Sequence, residues 1–215
     1  MKSTSLCVVV LLLGGCGMAS TKPSVEATGN AASSPVNSAS EPVSQTDDGV
    51  RLSIVSYDEI LERIAANRGK VVVMDAWSTS CQPCIKEFHN LVELHKKYGP
   101  DKLACMSLSF DYEGLGKPEE QVDTVLGFLR SQGATFENLM SNEESDALYR
   151  KFKLAAIPAV FVYDRTGELR KRFDNQKAMS PAEQFTYEQV GQLVAELLKE
   201  DSATGEAATG QLPTE

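Results

Sequence analysis

Histidine and cysteine are scarce in this chain. Its 215 residues include two histidines and five cysteines. Only Cys81 and Cys84 lie close together, while Cys7, Cys16 and Cys105 each stand alone. A structural zinc site needs a second ligand pair at similar spacing. His89 and His95 form no such pair with another cysteine, so no metal is expected. Positive charge is also in deficit: 21 Lys and Arg stand against 30 Asp and Glu, a formal net charge of −9. That balance argues against nucleic acid as a partner. No internal repeat is visible. The apolar run at residues 6–13 is too short to span a bilayer as a mature helix. There is one tryptophan, Trp77.

The beginning of the chain reads as targeting. Met1-Lys2 is a positive start, residues 6–13 are a short apolar segment, and Leu13-Gly14-Gly15-Cys16 resembles the bacterial lipobox. The expectation is a lipoprotein signal peptide at 1–15, cleaved so that Cys16 carries the lipid. Residues 16–50 are rich in Ser, Thr, Ala, Pro, Asn and Gly, a composition that buries no core and reads as a flexible tether. A folded domain is expected over 51–199 and a polar, acidic, disordered tail over 200–215.

The stretch with chemistry in it is Asp75-Ala76-Trp77-Ser78-Thr79-Ser80-Cys81-Gln82-Pro83-Cys84. The Val-rich run before it reads as a buried strand, and the segment after it has helical spacing. Two cysteines two residues apart then sit in the first turn of a helix, where unpaired N–H groups favour a thiolate. The spacing lets the two sulfurs form one bridge, so the pair can exchange between dithiol and disulfide. Cys81, nearer the helix start, is the expected nucleophile and Cys84 the resolving thiol. Pro83 removes an N–H that the first turn leaves unpaired. Asp75 ends a buried strand, and a buried carboxyl has a raised pKa suited to proton transfer.

These residues resemble the active-site strand and helix of the thioredoxin superfamily. A second stretch, Ala155-Ala156-Ile157-Pro158-Ala159-Val160-Phe161-Val162, resembles its cis-proline loop and following strand. The resemblance covers residues 51–199 and is closest to the membrane-tethered TlpA/ResA-like branch. It implies an α/β thioredoxin-like fold, a mixed central sheet flanked by helices with an extra helix–strand insertion. It further implies that Asp75 deprotonates Cys84, that the Ile157–Pro158 peptide is cis, and that Trp77, Ile157 and Pro158 form the substrate surface beside Gln82 and Pro83; Trp77 is also expected to pack against the active-site helix. The residue before Cys81 is usually Trp in this family and here is Ser80. The implied function is an extracytoplasmic, membrane-anchored thiol-disulfide oxidoreductase, most consistent with a protein-disulfide reductase. It would use no cofactor beyond the Cys81–Cys84 disulfide, act on protein disulfides and be recycled by a membrane electron donor.

Around these motifs the patterning places a strand at 51–55 and a helix at 57–67 with a Ser56/Glu59 capping box. A strand at 70–76 is followed by one helix from the cysteines to Tyr98, stopped by Gly99-Pro100. A strand at 103–110 holds Cys105 as a core residue. A helix at 119–132 ends at Gly133, and a strand spans 135–140. A helix at 143–152 is capped by Asn142, and strands lie at 159–163 and 168–173. A last helix starts at Ser180 or Thr186. Three alternatives remain open. A peroxiredoxin-like peroxidase would use Ser78 as its hydroxyl but lacks a proline at Met74. A copper metallochaperone usually spaces its cysteines one residue further apart. A non-catalytic scaffold leaves Cys81, Cys84, Asp75 and Pro158 unexplained.

Overall fold

A computed structural model describes residues 44–45 and 49–206, with side chains from 49 to 200. The expected signal peptide, the expected lipidation site Cys16, the expected tether as far as residue 43, and residues 207–215 lie outside it.

The strand that everything else packs around is β3, Val71–Trp77, in which all seven residues are buried. A run rich in Val and buried on both sides is what a strand covered by helices on both faces requires. β3 runs parallel to β4 (Leu103–Ser109) and antiparallel to β6 (Ala159–Tyr163). β5 (Glu137–Ser141) continues the parallel pairing beyond β4, and β2 (Arg51–Val55) beyond β5. On the far side β7 (Leu169–Asp174) pairs antiparallel with β6. The last neighbour is β1 (Ser44–Gln45), antiparallel to β2. The seven-stranded order is therefore β1-β2-β5-β4-β3-β6-β7. This is the expected mixed sheet of a thioredoxin-like fold. It begins earlier than expected, because β1 lies within the segment read as tether.

Side chains alternate across a strand, so β3 supplies two cores. Val71, Val73 and Trp77 face a layer containing α2 (Gln82–Glu87), α3 (His89–Lys102), α4 (Val122–Gln132) and α6 (Tyr187–Glu206). Val72, Met74 and Ala76 face α1 (Tyr57–Ala66) and α5 (Ser145–Phe152), through Ile60, Ile64, Leu148 and Phe152. α4 and β5 are the expected insertion. Gly133 closes α4 with φ 64°, the left-handed conformation that glycine adopts without strain. α1 opens with the expected capping box: Ser56 accepts from the Glu59 amide, and the Glu59 carboxylate accepts from the Ser56 amide at 2.8 Å.

Three boundaries differ from the sequence reading. The helix expected to run unbroken from the cysteines is divided at Phe88, which keeps helical angles of φ −56° and ψ −34°. It is interrupted at Gly99, as expected, by φ 66° and ψ 172°. Asn142 does not cap α5; the cap position is Glu144 and no side chain bonds there. α6 starts at Tyr187 and continues to Glu206, past the expected end at 199, while Pro181–Glu183 forms only a 3-10 turn.

One buried polar side chain links this parallel half of the sheet. Asn138 on β5 is 2% exposed. Its Nδ2 donates to the carbonyls of Arg51, Ala134 and Phe136, and its Oδ1 accepts from Ser107 Oγ at 2.9 Å. Each buried group left unpaired costs about 1–3 kcal/mol. Asn138→Ala should therefore destabilise the chain by roughly 2–4 kcal/mol. Urea unfolding should show this as a lower midpoint with an unchanged slope.

Candidate active site

β3 delivers Trp77 into the helix layer, and the chain turns through residues 78–80 before α2 begins. Cys81 is the N-cap of α2, and its sulfur accepts from the Cys84 amide at 3.3 Å. That contact and the other unpaired N–H groups of the first turn stabilise negative charge on Cys81. Cys81 and Cys84 are joined in a disulfide, with Cα atoms 5.2 Å apart. Cys81 is partly exposed, whereas Cys84 is 3% exposed. The accessible sulfur is therefore the one nearest the helix start, and the buried sulfur of Cys84 lies behind it.

The turn ahead of Cys81 is held by a carboxylate that the sequence reading passed over. Asp111 Oδ1 accepts from the Thr79 amide at 2.9 Å, from Ser78 Oγ at 3.2 Å and from Thr79 Oγ1. Its Oδ2 accepts from Ser109 Oγ at 2.6 Å. Ser78 Oγ also contacts Ser80 Oγ at 2.9 Å and accepts from the Ser80 amide. β3 and β4 end in register at Trp77 and Ser109, so the residues just beyond each strand are neighbours. Ser80, the departure from the family's usual Trp, thus belongs to a hydroxyl cluster. The signal was available: three consecutive hydroxyls next to the end of one strand, and an Asp just past the end of its parallel neighbour.

Asp75 lies on the same strand face as Val73 and Trp77, towards Cys84, and is 3% exposed. Oδ2 accepts a hydrogen bond from the Tyr187 hydroxyl. Oδ1 has no protein partner among the described residues. Burial pushes the Asp75 carboxyl up to about 7, against the opposing pull of the Tyr187 hydrogen bond. Asp75, Cys84, Pro158 and Tyr187 share a pocket of about 270 Å³ whose outer wall includes Lys86, Glu87 and Gln184. That is room for water between carboxyl and thiol. Tyr187 was visible in the sequence only as part of a helix-start signature, with nothing to tie it to Asp75.

The Ile157–Pro158 peptide is cis. Ile157 lines a groove of about 1000 Å³ with Cys81, Gln82, Pro83, Phe110 and Tyr149, and Pro158 lines the pocket behind. Trp77 packs against the active-site helix, as expected, and is not on the expected substrate surface. It is 0% exposed and packs against Phe88 and Phe128 at ring separations of 4.9 and 4.7 Å. It supports the helix from below. Cys105 is buried, and burial pushes its thiol up to about 12, which leaves it inert. His89 contacts the Lys86 carbonyl and His95 packs edge-on to Phe136. Among the described residues no group of three or more His, Cys, Asp or Glu side chains is arranged to hold a metal ion.

Comparison with known proteins gives a consistent pattern. A family model described as the AhpC/TSA family matches residues 55–172. The chain is similar to the thiol-disulfide oxidoreductase ResA of Geobacillus kaustophilus, at 27% identity over 112 residues, covering 51% of this chain and 57% of the relative. It is also similar to the thioredoxin-like protein YneN of Bacillus subtilis, at 29% identity over 103 residues, covering 48% and 55%. The matches thus span little more than half the length of these curated relatives. Among solved structures, a putative thiol:disulfide interchange protein DsbE from Chlorobium tepidum overlays with a TM-score of 0.49. Its identity is 20%, and the overlay covers 63% of this chain and 84% of that one.

The buried carboxyl has a consequence for stability. The folded Asp75 pKa of about 7 lies above the ordinary value of 3.8, so between these limits the folded chain holds a proton that the unfolded chain has lost. The resulting stability is complete below about pH 4 and is lost as pH rises to about 7, by on the order of 4 kcal/mol in all. Asp75→Asn removes this titration. Its melting temperature relative to the parent should therefore be higher at about pH 8 than at about pH 5. An offset independent of pH would contradict a carboxyl buried in its protonated form.

Proposed function

The chain belongs to the AhpC/TSA family, and from that premise we propose that it is a thiol-disulfide oxidoreductase that reduces protein disulfides outside the cytoplasm. In this reading Cys16 carries a lipid that holds the domain at a membrane, and the segment between Cys16 and β1 gives it reach. The observation that carries the activity is the Cys81–Cys84 pair at the start of α2, one sulfur accessible and one buried beside Asp75.

The cycle starts from the dithiol. The Cys81 thiolate attacks one sulfur of a partner disulfide, forming a mixed disulfide and expelling the partner's other sulfur as a thiolate. Asp75 takes the proton from Cys84. The Cys84 thiolate then attacks Cys81 Sγ, the bond from Cys81 to the partner breaks, and the partner leaves with its second sulfur reduced. Two electrons have passed to the partner, and Cys81 and Cys84 are bonded. A membrane electron donor returns the pair to the dithiol. Ile157 and Pro158, with Gln82 and Pro83, form the surface on which the partner backbone rests. Trp77 works from beneath, through packing. The direction towards reduction is supported by Pro83 in the C-x-P-C sequence and by the resemblance to the TlpA/ResA-like branch.

The peroxidase alternative is less well supported. Ser78 Oγ, the hydroxyl it would need, is engaged with Asp111 and Ser80, and Met74 stands where the proline of that pattern belongs.

Two measurements test the proposal. With Cys16→Ser in the full chain, titration in dithiothreitol and glutathione buffers should give a reduction potential near −270 mV, a typical value for a reductase. Trp77 emission and thiol alkylation would report it. A value near −120 mV would make the protein an oxidant, and a pair that never cycles would sink the oxidoreductase reading. Separately, Cys84→Ser should accumulate a covalent mixed disulfide with a disulfide-bonded substrate, and Cys81→Ser should accumulate none.

A further inference from the structure

We propose that Tyr187 is a positioning residue for the resolving step: its hydroxyl engages one oxygen of Asp75 and leaves the other, which has no protein partner among the described residues, to exchange a proton with Cys84. This rests on Asp75 acting as the base for Cys84, as set out above.

The placement of Tyr187 is built by its surroundings. It is the first residue of α6. The helix start is fixed by a reciprocal pair: the Thr186 amide donates to Gln189 Oε1 at 3.1 Å, and the Gln189 amide donates to Thr186 Oγ1 at 3.4 Å. The loop ahead is tied to the end of β7, where the Phe185 amide donates to Asn175 Oδ1 at 3.0 Å. The Phe185 ring packs on Phe173 at 6.0 Å. Tyr187 itself is 8% exposed, with its hydroxyl against Asp75. A phenol fixed at both backbone ends has little freedom to leave the carboxyl.

The consequence concerns the two oxygens of one carboxyl. Oδ2 is occupied by the Tyr187 hydroxyl, and Oδ1 is buried without a protein partner among the described residues. Both side chains border the pocket that Cys84 also lines. Resolution needs the proton to leave Cys84 Sγ and arrive on Asp75, and Oδ1 is the oxygen without a hydrogen bond to displace. The S–H bond breaks, an O–H bond forms at Oδ1, and the freed sulfur pair attacks Cys81 Sγ as the partner's sulfur departs.

Tyr187 also sets the proton affinity of that carboxyl. A hydroxyl that donates to the ionised form stabilises it. Here the hydrogen bond works against burial and holds Asp75 lower than burial alone would. The other ionisable groups near this carboxyl or its tyrosine are Cys84, Lys86 and Glu87 of α2 and Cys105 of β4, and, in a cleft that Tyr187 also borders, Glu93, Lys96, Lys97 and Tyr98 of α3 with Glu188 of α6. Tyr187 itself stays protonated, because burial and the neighbouring Asp75 raise its pKa well above the ordinary value. It therefore acts as a fixed donor and does not titrate across the working range.

The test uses the full chain with Cys16→Ser, reduced and then mixed rapidly with Ellman's reagent. Attack by Cys81 releases one thionitrobenzoate, and resolution by Cys84 releases the second, so the slower phase reads the step in question without any docking surface. The parent should show a rate that rises with pH through a midpoint near 7. Tyr187→Phe should move that midpoint up by about one pH unit or more, the effect of one hydrogen bond to a charged group. At pH 7 the second phase should slow about five-fold, and by about pH 9 the rates should converge. Tyr187→3-fluorotyrosine, a stronger donor of nearly native shape, should move the midpoint down and guards against misfolding of the phenylalanine variant. Asp75→Asn should abolish the midpoint, and adding Tyr187→Phe to it should change nothing further. If Asp75→Asn abolishes the midpoint while neither Tyr187 variant shifts it, the Tyr187 proposal is overturned and the base stands. A double variant slower than Asp75→Asn alone would give Tyr187 a purely structural role. If Asp75→Asn keeps the parent's midpoint, the base itself is refuted, and the proposal with it.

Discussion

A carboxyl group sits where a core residue would otherwise be. Asp75 occupies an inward position on the most buried strand of the sheet, between Val73 and Trp77, and the helix layer seals over it. Burial disfavours its charged form and brings its pKa to the range where thiols and water exchange protons. An aspartate half in solvent would stay ionised and would be too weak a base. The position is costly to folding above neutral pH, so the surrounding apolar packing must supply stability that the carboxyl withdraws. Cores on both faces of the sheet do so, each buried large side chain contributing about 1.5–3 kcal/mol.

The reactive sulfurs depend on the same strand in another way. β3 and β4 are parallel and end level with each other, so the turns that leave them run side by side. Asp111 from one turn gathers the hydroxyls and an amide of the other, and Cys81 follows directly as the cap of α2. The turn that presents Cys81 is thereby tied to the sheet and not merely to its own helix. Below it, Trp77, Phe88 and Phe128 form an aromatic cluster that carries α2 and α3. Cys81 is partly exposed above this packed layer.

The active pair opens on two sides with different characters. Towards the outside is the large groove lined by Cys81, Ile157 and Tyr149, suited to a polypeptide. Behind is the small pocket of Asp75, Cys84 and Tyr187, suited to water and a proton. The cis Ile157–Pro158 peptide lies between them, with Ile157 on the groove and Pro158 on the pocket. In the proposed cycle, partner exchange occupies one side and proton exchange the other.

Much of this was legible in the residues alone, because the relevant signals are local. The Val run of β3, the period of the helices, the Ser56/Glu59 box, the Gly133 terminus and the C-x-x-C at a helix start are each written within a few positions. Pro158 and Asp75 could be placed because their motifs are contiguous. What the sequence could not determine is which distant segments meet. Tyr187 lies 112 positions from Asp75 and reaches it only because α6 packs across the face of β3. Asp111 finds residues 78–80 through strand register, and the rings that enclose Trp77, Phe88 and Phe128, come from two separate segments. Local patterning specifies elements through neighbours in the chain. Burial, the pKa of a carboxyl and the choice of its hydrogen-bond donor arise from neighbours in space, which only the packed sheet and its helices supply.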